Sequence, residues 1–345
     1  MLQKGAIIVA IHETVYPRIK HKLTKKELVE IYTPNQEDNK FVNQHTRTPV
    51  SRLGLFVFLK IFQRLGYFPL LDNIPIKIVT HIATSTGFDT IPDGFEKYEK
   101  SGFRGRHIPL IRSYLKVKAF DNDGRQILTD ALQNASKTKD IIADIINAGI
   151  EELVRQKYEL PAFYSFVREA KKARSNVNKS FYSNFYEQIE NQQKIIISDL
   201  LVKQTDETRS LWFKLKQEPK QPNTKTMREF VQHISWLLSI NQGWEALDNI
   251  PKVKLKRFAD EAKSLNLYEI NRMTENKRET LVAALITEQT SIASDDFSEI
   301  FVRQIKKMHN KGREALQKYR AQYEDRTDHL IQTLENITVA WGIRK

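Results

Sequence analysis

The sequence predicts an all-α protein: several small helical-bundle or helix-turn-helix-like units in series, followed by a helical scaffold block. Three observations carry this expectation. Gly 12 and Pro 11 in 345 residues are about half of average usage, too few turn formers for a sandwich or barrel. Capping residues followed by proline, or by a glutamate three positions on, recur ahead of apolar runs and mark helix starts. No segment is strand-rich, and the apolar positions return at three- and four-residue spacing.

The elements follow in order. Thr24 and Glu27 have capping-box spacing, so a helix starts there. Thr33-Pro34-Asn35-Gln36 reads as a second start with Pro34 at the first helical position, and Thr48-Pro49 as a third, ahead of Arg52 to Lys60. The third helix is apolar on nearly every side from Leu53 to Phe62, which means that neighbours surround it. A fourth near Ile74 to Thr86 completes a compact unit. Gly87 to Gly94, with Pro92, reads as a linker, and a second unit begins near Phe95. Its helix from Arg104 to Lys118 has Ile108, Ile111 and Leu115 on one face and basic residues on the other, with no acidic residue in the segment. Helices at 123–135 and 138–157 follow, and Pro161 marks the next boundary.

From Pro161 to about Leu201 the pattern is helical, basic and aromatic together. Lys216 to Thr224, with Pro219 and Pro222, reads as a second linker. Another helical block runs from Thr224. Its last element is expected to start near Ser294-Asp295-Asp296, where a hydroxyl can cap and carboxylates suit the helix dipole, and to run past Tyr323.

Composition narrows the function. Lys+Arg 55 against Asp+Glu 42 gives a formal charge of +13, so acidic partners are favoured. With no Cys, a disulfide framework, a thiolate zinc site and a cysteine nucleophile are excluded. The longest apolar stretches, Leu53 to Leu59 and Ala6 to Ile11, fall short of the ~18 residues of a membrane span. A soluble, intracellular, cytoplasmic protein with no membrane partner is the expectation.

No phosphate-binding glycine loop is present, since Gly102 and Gly105 are the closest pair and no Gly-Lys-Ser/Thr follows. The eight histidines are scattered without metal-ligand spacing, and Asp295-Asp296 reads as a cap before it reads as a metal site. Neither a cofactor nor a small-molecule substrate is expected. The sharpest signal is Arg104, Arg106, His107, Arg112 and Lys116 along one helix, because cations aligned in this way displace counterions from a phosphate backbone. A solvated helix face is the alternative. Lys171, Lys172 and Arg174 form a weaker cluster with Glu169 beside it. Phe166, Phe181, Phe185 and Tyr186 can serve as stacking platforms for unpaired bases or as core.

Several strings occur together in order and spacing: Tyr16-Pro17-Arg18, Leu23 to Leu28, Ser51-Arg52-Leu53-Gly54, Phe62 to Pro69, Arg104 to His107, Ile111-Arg112, Leu160-Pro161, Ile250-Pro251, Lys277 to Leu281 and Asp295 to Phe301. This series resembles the amino-terminal region of Tn3-family transposases, from about Thr14 to about Tyr323. The resemblance implies a helical region that recognises the terminal inverted repeats of a transposon as double-stranded DNA and helps to bring two ends together. In that family an acidic triad in a ribonuclease-H-like domain nearer the carboxyl end carries cleavage and strand transfer. No catalytic residue is therefore expected here, the chain reads as a truncated product or fragment, and Mg²⁺ belongs to the missing catalytic part.

On that basis residues 1–22 are expected to form an arm, 23–90 and 91–158 two helical DNA-binding units, 159–222 a connector with the basic and aromatic patch, and 223–345 a scaffold or dimerisation block. The DNA-binding candidates are Arg52, Arg104, Arg106, His107 and Arg112 from the resemblance. Arg47, Arg64, Lys116, Lys171, Lys172 and Arg174 follow from charge and neighbourhood. Nucleoid association in a bacterium and a homodimer through the last block complete the reading. The competing class is a helical interaction or scaffold protein with an incidental basic surface.

Overall fold

The computed structural model of the chain describes residues 11–20, 22–202, 210–217 and 227–342. These residues are all-α, with no strand among them beyond an isolated bridge between Lys118 and Tyr158. The first ten residues, His21, the heart of the predicted linker at 216–224, and 343–345 lie outside the described residues. The chain divides into two compact units, Met1–Asn184 with Ile250–Arg257, and Phe185–Asn249 with Phe258–Lys345.

In the first unit, α1 (Lys25–Tyr32) begins with the predicted capping box between Thr24 and Glu27. The next start differs from expectation. α2 (Gln36–His45) is capped by Asn35 in a box with Asp38, which leaves Pro34 outside the helix and Thr33 as the C-cap of α1. Asparagine caps better than threonine and finds an acceptor at the third helical position, so the start shifts two residues. α3 (Pro49–Leu65) begins at Thr48-Pro49 as expected and ends at Gly66, whose φ of 71° a side chain would resist. Every residue from Leu53 to Phe62 is buried, so α3 is the axis of the first core. Around it pack α1, α2, α4 (Ile76–Ser85) and α5 (Gly102–Leu115).

Two buried carboxylates organise this unit. Asp38 is fully buried on α2 and accepts from Lys60 Nζ (3.3 Å), Gln63 Nε2 (3.1 Å), the Tyr114 hydroxyl (3.3 Å) and the Asn35 amide (3.1 Å). That carboxylate ties α2, α3 and α5. A second core forms around α6 (Asn122–Thr138) and α7 (Ile142–Arg155), with Phe166, Ala170 and Ala173 of α8 (Phe163–Gln188) upon it. Just before α7, the buried Asp140 accepts from Lys254 Nζ at 2.7 Å and lies 3.7 Å from Arg174 and 3.6 Å from Arg257. Lys254, at the start of α12 (Lys252–Ser264), also donates to Asn178 (2.9 Å), and its burial holds its amine below the ordinary lysine range.

The second unit holds α9 (Asn191–Leu200), α10 (Leu211–Lys216), α11 (Met227–Ile240), α13 (Leu267–Asn271) and α14 (Glu275–Ala340). Its core is the run Leu281 to Ile286 of α14, with Trp212 donating to the Leu265 carbonyl at 3.2 Å. No helix begins at Ser294. α14 is continuous from its cap at Thr274, twenty positions earlier, and Asp295 and Asp296 are interior. The Ser294 hydroxyl bonds back to the Thr290 carbonyl (2.8 Å), and neither Gly nor Pro interrupts 275–311, so a cap signal lies unused inside a helix-forming run.

Gly54 faces the ring of Tyr98, where a β-carbon would come within 2.6 Å of Cζ, whereas one at Gly102 meets nothing. Gly54→Ala is expected to cost about 3 kcal/mol in urea unfolding and Gly102→Ala to cost nothing. Asp140→Asn removes the carboxylate facing a buried ammonium, and the same measurement is expected to give a loss of about 3 to 5 kcal/mol.

Candidate nucleic-acid interface

α5 is seated on α3 through a buried polar chain. The Tyr98 hydroxyl lies 2.7 Å from His107 Nδ1, and His107 Nε2 lies 3.2 Å from the Ser51 hydroxyl. His107 is only 3% exposed. A neutral ring satisfies both contacts, one nitrogen donating and the other accepting. Burial, then the charge of Arg106 and then His45, push its pKa down to about 4. His107 is thus a core residue that fixes the start of α5 against the start of α3.

Above this contact lies a cleft of about 270 Å³, lined by Arg47, Thr48 and Ser51 on one side, by Phe103, Arg106 and Leu110 on the other, and by His45 and His107. Arg47 and Arg106 are exposed and make no ion pair among the described residues. The Arg106 Nε donates to the Gly102 carbonyl at 3.3 Å, and its guanidinium lies over Phe103 at 5.1 Å. Neither α3 nor α5 has an acidic residue in its first turn, a feature shared with α4, α8, α9, α10 and α12. The helix dipole at the start of α3 is therefore not offset by a first-turn carboxylate, and it adds to the positive charge of two guanidinium groups without ion pairs among the described residues.

The other candidates are placed differently. Arg104 spends its guanidinium internally: Nη2 donates to the Pro69 carbonyl (3.2 Å), Nε lies 3.1 Å from Glu99, and the group stacks on Phe58. Arg112 pairs with Glu159 at 2.7 Å and lies over Phe68. Their acidic partners lie outside the helix, where inspection of the helix alone finds none. Arg52 lies over Phe88 at 5.5 Å, with Nε buried and unpartnered. Arg174 donates to the Asp140 carbonyl at 3.1 Å.

Lys116, Arg64 and Lys172 are exposed, and Lys171 is half-buried. Lys116 caps α5 in the left-handed region, at φ 55°. Arg64 is in the last turn of α3, ~25 Å along the helix from Arg47, so the two are not brought together. Lys171 and Lys172 lie on α8, outside the cleft. Of the aromatic residues, Phe166 and Phe185 are core. Tyr186 donates to Glu275 at 2.9 Å, and Phe181 is half-buried. Sequence reasoning missed His45, which sits two positions before Arg47 and is visible as a basic pair ahead of the Thr48 cap.

A family model described as "Domain of unknown function (DUF4158)" matches residues 7–173. Among curated relatives, the transposase for transposon Tn501 of Pseudomonas aeruginosa is 22% identical over 288 residues, covering 83% of this chain and 29% of that protein. The transposase for transposon Tn1546 of Enterococcus faecium is 21% identical over 311 residues, covering 89% of this chain and 31% of the relative. The transposase for transposon Tn21 of Escherichia coli is 22% identical, with 83% and 29% covered. The chain thus spans less than a third of the length of these relatives. Among the described residues no helix is long and apolar enough to cross a membrane, and no group of three or more His, Asp or Glu side chains is placed to hold a metal ion.

The low pKa of His107 ties stability to pH. The unfolded chain takes up a proton near the ordinary value of 6.5 and the folded chain only near 4, so the stabilisation is complete above pH 6.5 and is lost as pH falls toward 4. Relative to His107→Gln, which cannot titrate, the wild type is expected to lose about 3 kcal/mol between pH 7 and 4, read from denaturant unfolding at each pH.

Proposed function

We propose that this chain, a relative of the amino-terminal region of Tn3-type transposases, binds double-stranded DNA at the terminal inverted repeats of its element. The observation that carries the reading is the cleft in which Arg47 and Arg106, both free of ion pairs, flank the acid-free start of α3. Such a site suits a backbone phosphate: a guanidinium group from each side and the positive end of the α3 dipole at one end. Phosphate contacts of this kind fix register, and neighbouring side chains read base edges. Arg64, Lys116, Lys171 and Lys172 supply further phosphate contacts along the duplex. Arg52, Arg104, His107, Arg112 and Arg174 act as positioning residues that hold the helices presenting those cations.

In this reading 23–90 and 91–158 are the units that engage DNA, the chain works in the bacterial nucleoid, and cleavage and strand transfer belong to the two thirds of the relatives that it does not span. Any Mg²⁺ requirement goes with that part. The block from 223 pairs two copies, so that two ends meet. A specific observation keeps a protein-interaction reading in view: residues 301–342 are exposed throughout and carry large apolar side chains.

The test is a salt titration of binding to a labelled duplex bearing the element's terminal repeat, beside a scrambled duplex of equal composition. A preference of ~10³-fold or more is expected. Arg47→Ala with Arg106→Ala is expected to reduce the log–log salt slope by about 1.8, two phosphate contacts' worth. Equal affinity for both duplexes would leave only a basic surface, and an unchanged slope would remove the cleft from the interface.

A further inference from the structure

From Phe301 to the end of the described residues, every residue of α14 is exposed. Single exposed apolar residues are ordinary, but a continuous stripe marks a surface that is covered in use. Here the stripe has a regular period. Phe297, Met308, Tyr319, Leu330 and Trp341 recur every eleven residues. Steps of three and four between them are filled by Phe301, Ile305, Leu316, Tyr323, Leu334 and Ile337, with Gly312 and Thr327 at the two remaining positions. An eleven-residue repeat is 3.67 residues per turn, close to the helix's own 3.6, so the stripe drifts only about 20° per repeat, about 80° over its ~65 Å, a gentle right-handed wind that keeps it within one half of the helix. It also begins inside the unit: Phe297 stacks on Phe230 of α11 at 6.4 Å, and Ile300 is buried.

Charge selects the occupant of this stripe. Residues 301–320 carry seven basic side chains and one acidic, and residues 321–342 carry one basic and four acidic. A parallel partner would set the basic half on the basic half. An antiparallel copy sets the basic half on the acidic half, and about Tyr319 two opposite-charge pairs and the apolar positions come face to face. Arg303 and Glu335 stand sixteen positions to either side, Arg313 and Asp325 six, Met308 and Leu330 eleven, and Phe297 and Trp341 twenty-two. Glu314 also faces Glu324 and Lys318 faces Arg320, like-charge pairs that the Arg313–Asp325 and Arg303–Glu335 pairs offset.

We infer that the exposed arm of α14 pairs antiparallel with the arm of a second copy, about a two-fold axis at Tyr319. This rests on the dimer reading above and specifies its surface and orientation. Such an interface is isologous, each Arg303 facing the other copy's Glu335. Acidic residues at 324, 325, 328 and 335 argue against the whole arm lying on DNA.

The absence of cysteine makes the test direct. Met308→Cys and Leu330→Cys, both at exposed positions where the fold tolerates them, are introduced separately into the full chain, one version carrying a mass tag. The two are mixed and mildly oxidised, and light scattering of the unaltered chain is run beside them. A mass of twice 40.4 kDa together with a mixed 308-to-330 disulfide as the main product is expected, since only facing positions bring α-carbons within bonding reach.

Arg303→Glu with Arg313→Glu is expected to weaken self-association by about tenfold at low salt, and mixing with Asp325→Arg plus Glu335→Arg to restore it. A dimer that gives only 308-to-308 and 330-to-330 products, or no arm disulfide at all, overturns the antiparallel arm and leaves the dimer reading intact. A monomer at every concentration overturns both.

Discussion

The ring of Tyr98 lying against Gly54 is the constraint on which the arrangement of the first unit depends. Without a side chain at position 54, the turn before α5 comes down onto α3, and the Tyr98 hydroxyl then reaches His107 and, through it, Ser51. Each group in that chain is buried, so each needs its partner, and a displacement of α5 along α3 would strand three polar groups at once. Stacking of Tyr98 with Phe58, at 5.5 Å, adds contact on the other side of the same ring. A glycine that accepts an aromatic ring thereby sets the separation between Arg47, just ahead of α3, and Arg106 on α5.

The cations of this basic chain fall into two populations with different physical work. Lys60, Arg104, Arg112, Arg174 and Lys254 face carboxylates within the fold. Their charge is neutralised locally, and what they contribute is geometry. Burial of Glu159 raises its pKa against the pull of Arg112. Arg47, Arg106, Arg64 and Lys116 have no such partner among the described residues. The net +13 overstates the density of the helix read as most basic, while the start of α3 gains relative weight because no acid offsets its dipole.

This partition explains how much was legible in the sequence. Thr24 with Glu27 and Thr48 with Pro49 could be read because a cap and its helix are adjacent in the chain, and the burial of α3 could be read because apolar residues occupy every side. Asn35 was masked by a proline that also fits outside a helix. Ser294-Asp295-Asp296 misled because capping chemistry acts only where the chain bends. Glu99 lies outside the predicted basic helix and Glu159 47 residues beyond Arg112, so local charge counting found no counter-ion for either arginine. Lys254 and Asp140, 114 residues apart, carried no local signal at all.

The long exposed reach of α14 raises a different physical question, because packing within the chain does not account for its apolar content. Glutamate, lysine, arginine and glutamine at the intervening positions favour a helix without help, so helicity alone would be satisfied by polar residues on every side. A stripe of phenylalanine, leucine, tyrosine and tryptophan adds an aggregation hazard unless something covers it. Its eleven-residue period and its opposed charges limit what can cover it well: a helix that follows its gentle right-handed wind and carries the reverse order of charge. A second copy turned end for end meets both conditions with no further partner. The two-fold symmetry of such a pairing would give the assembly two copies of the cleft at the start of α3, related by the same axis.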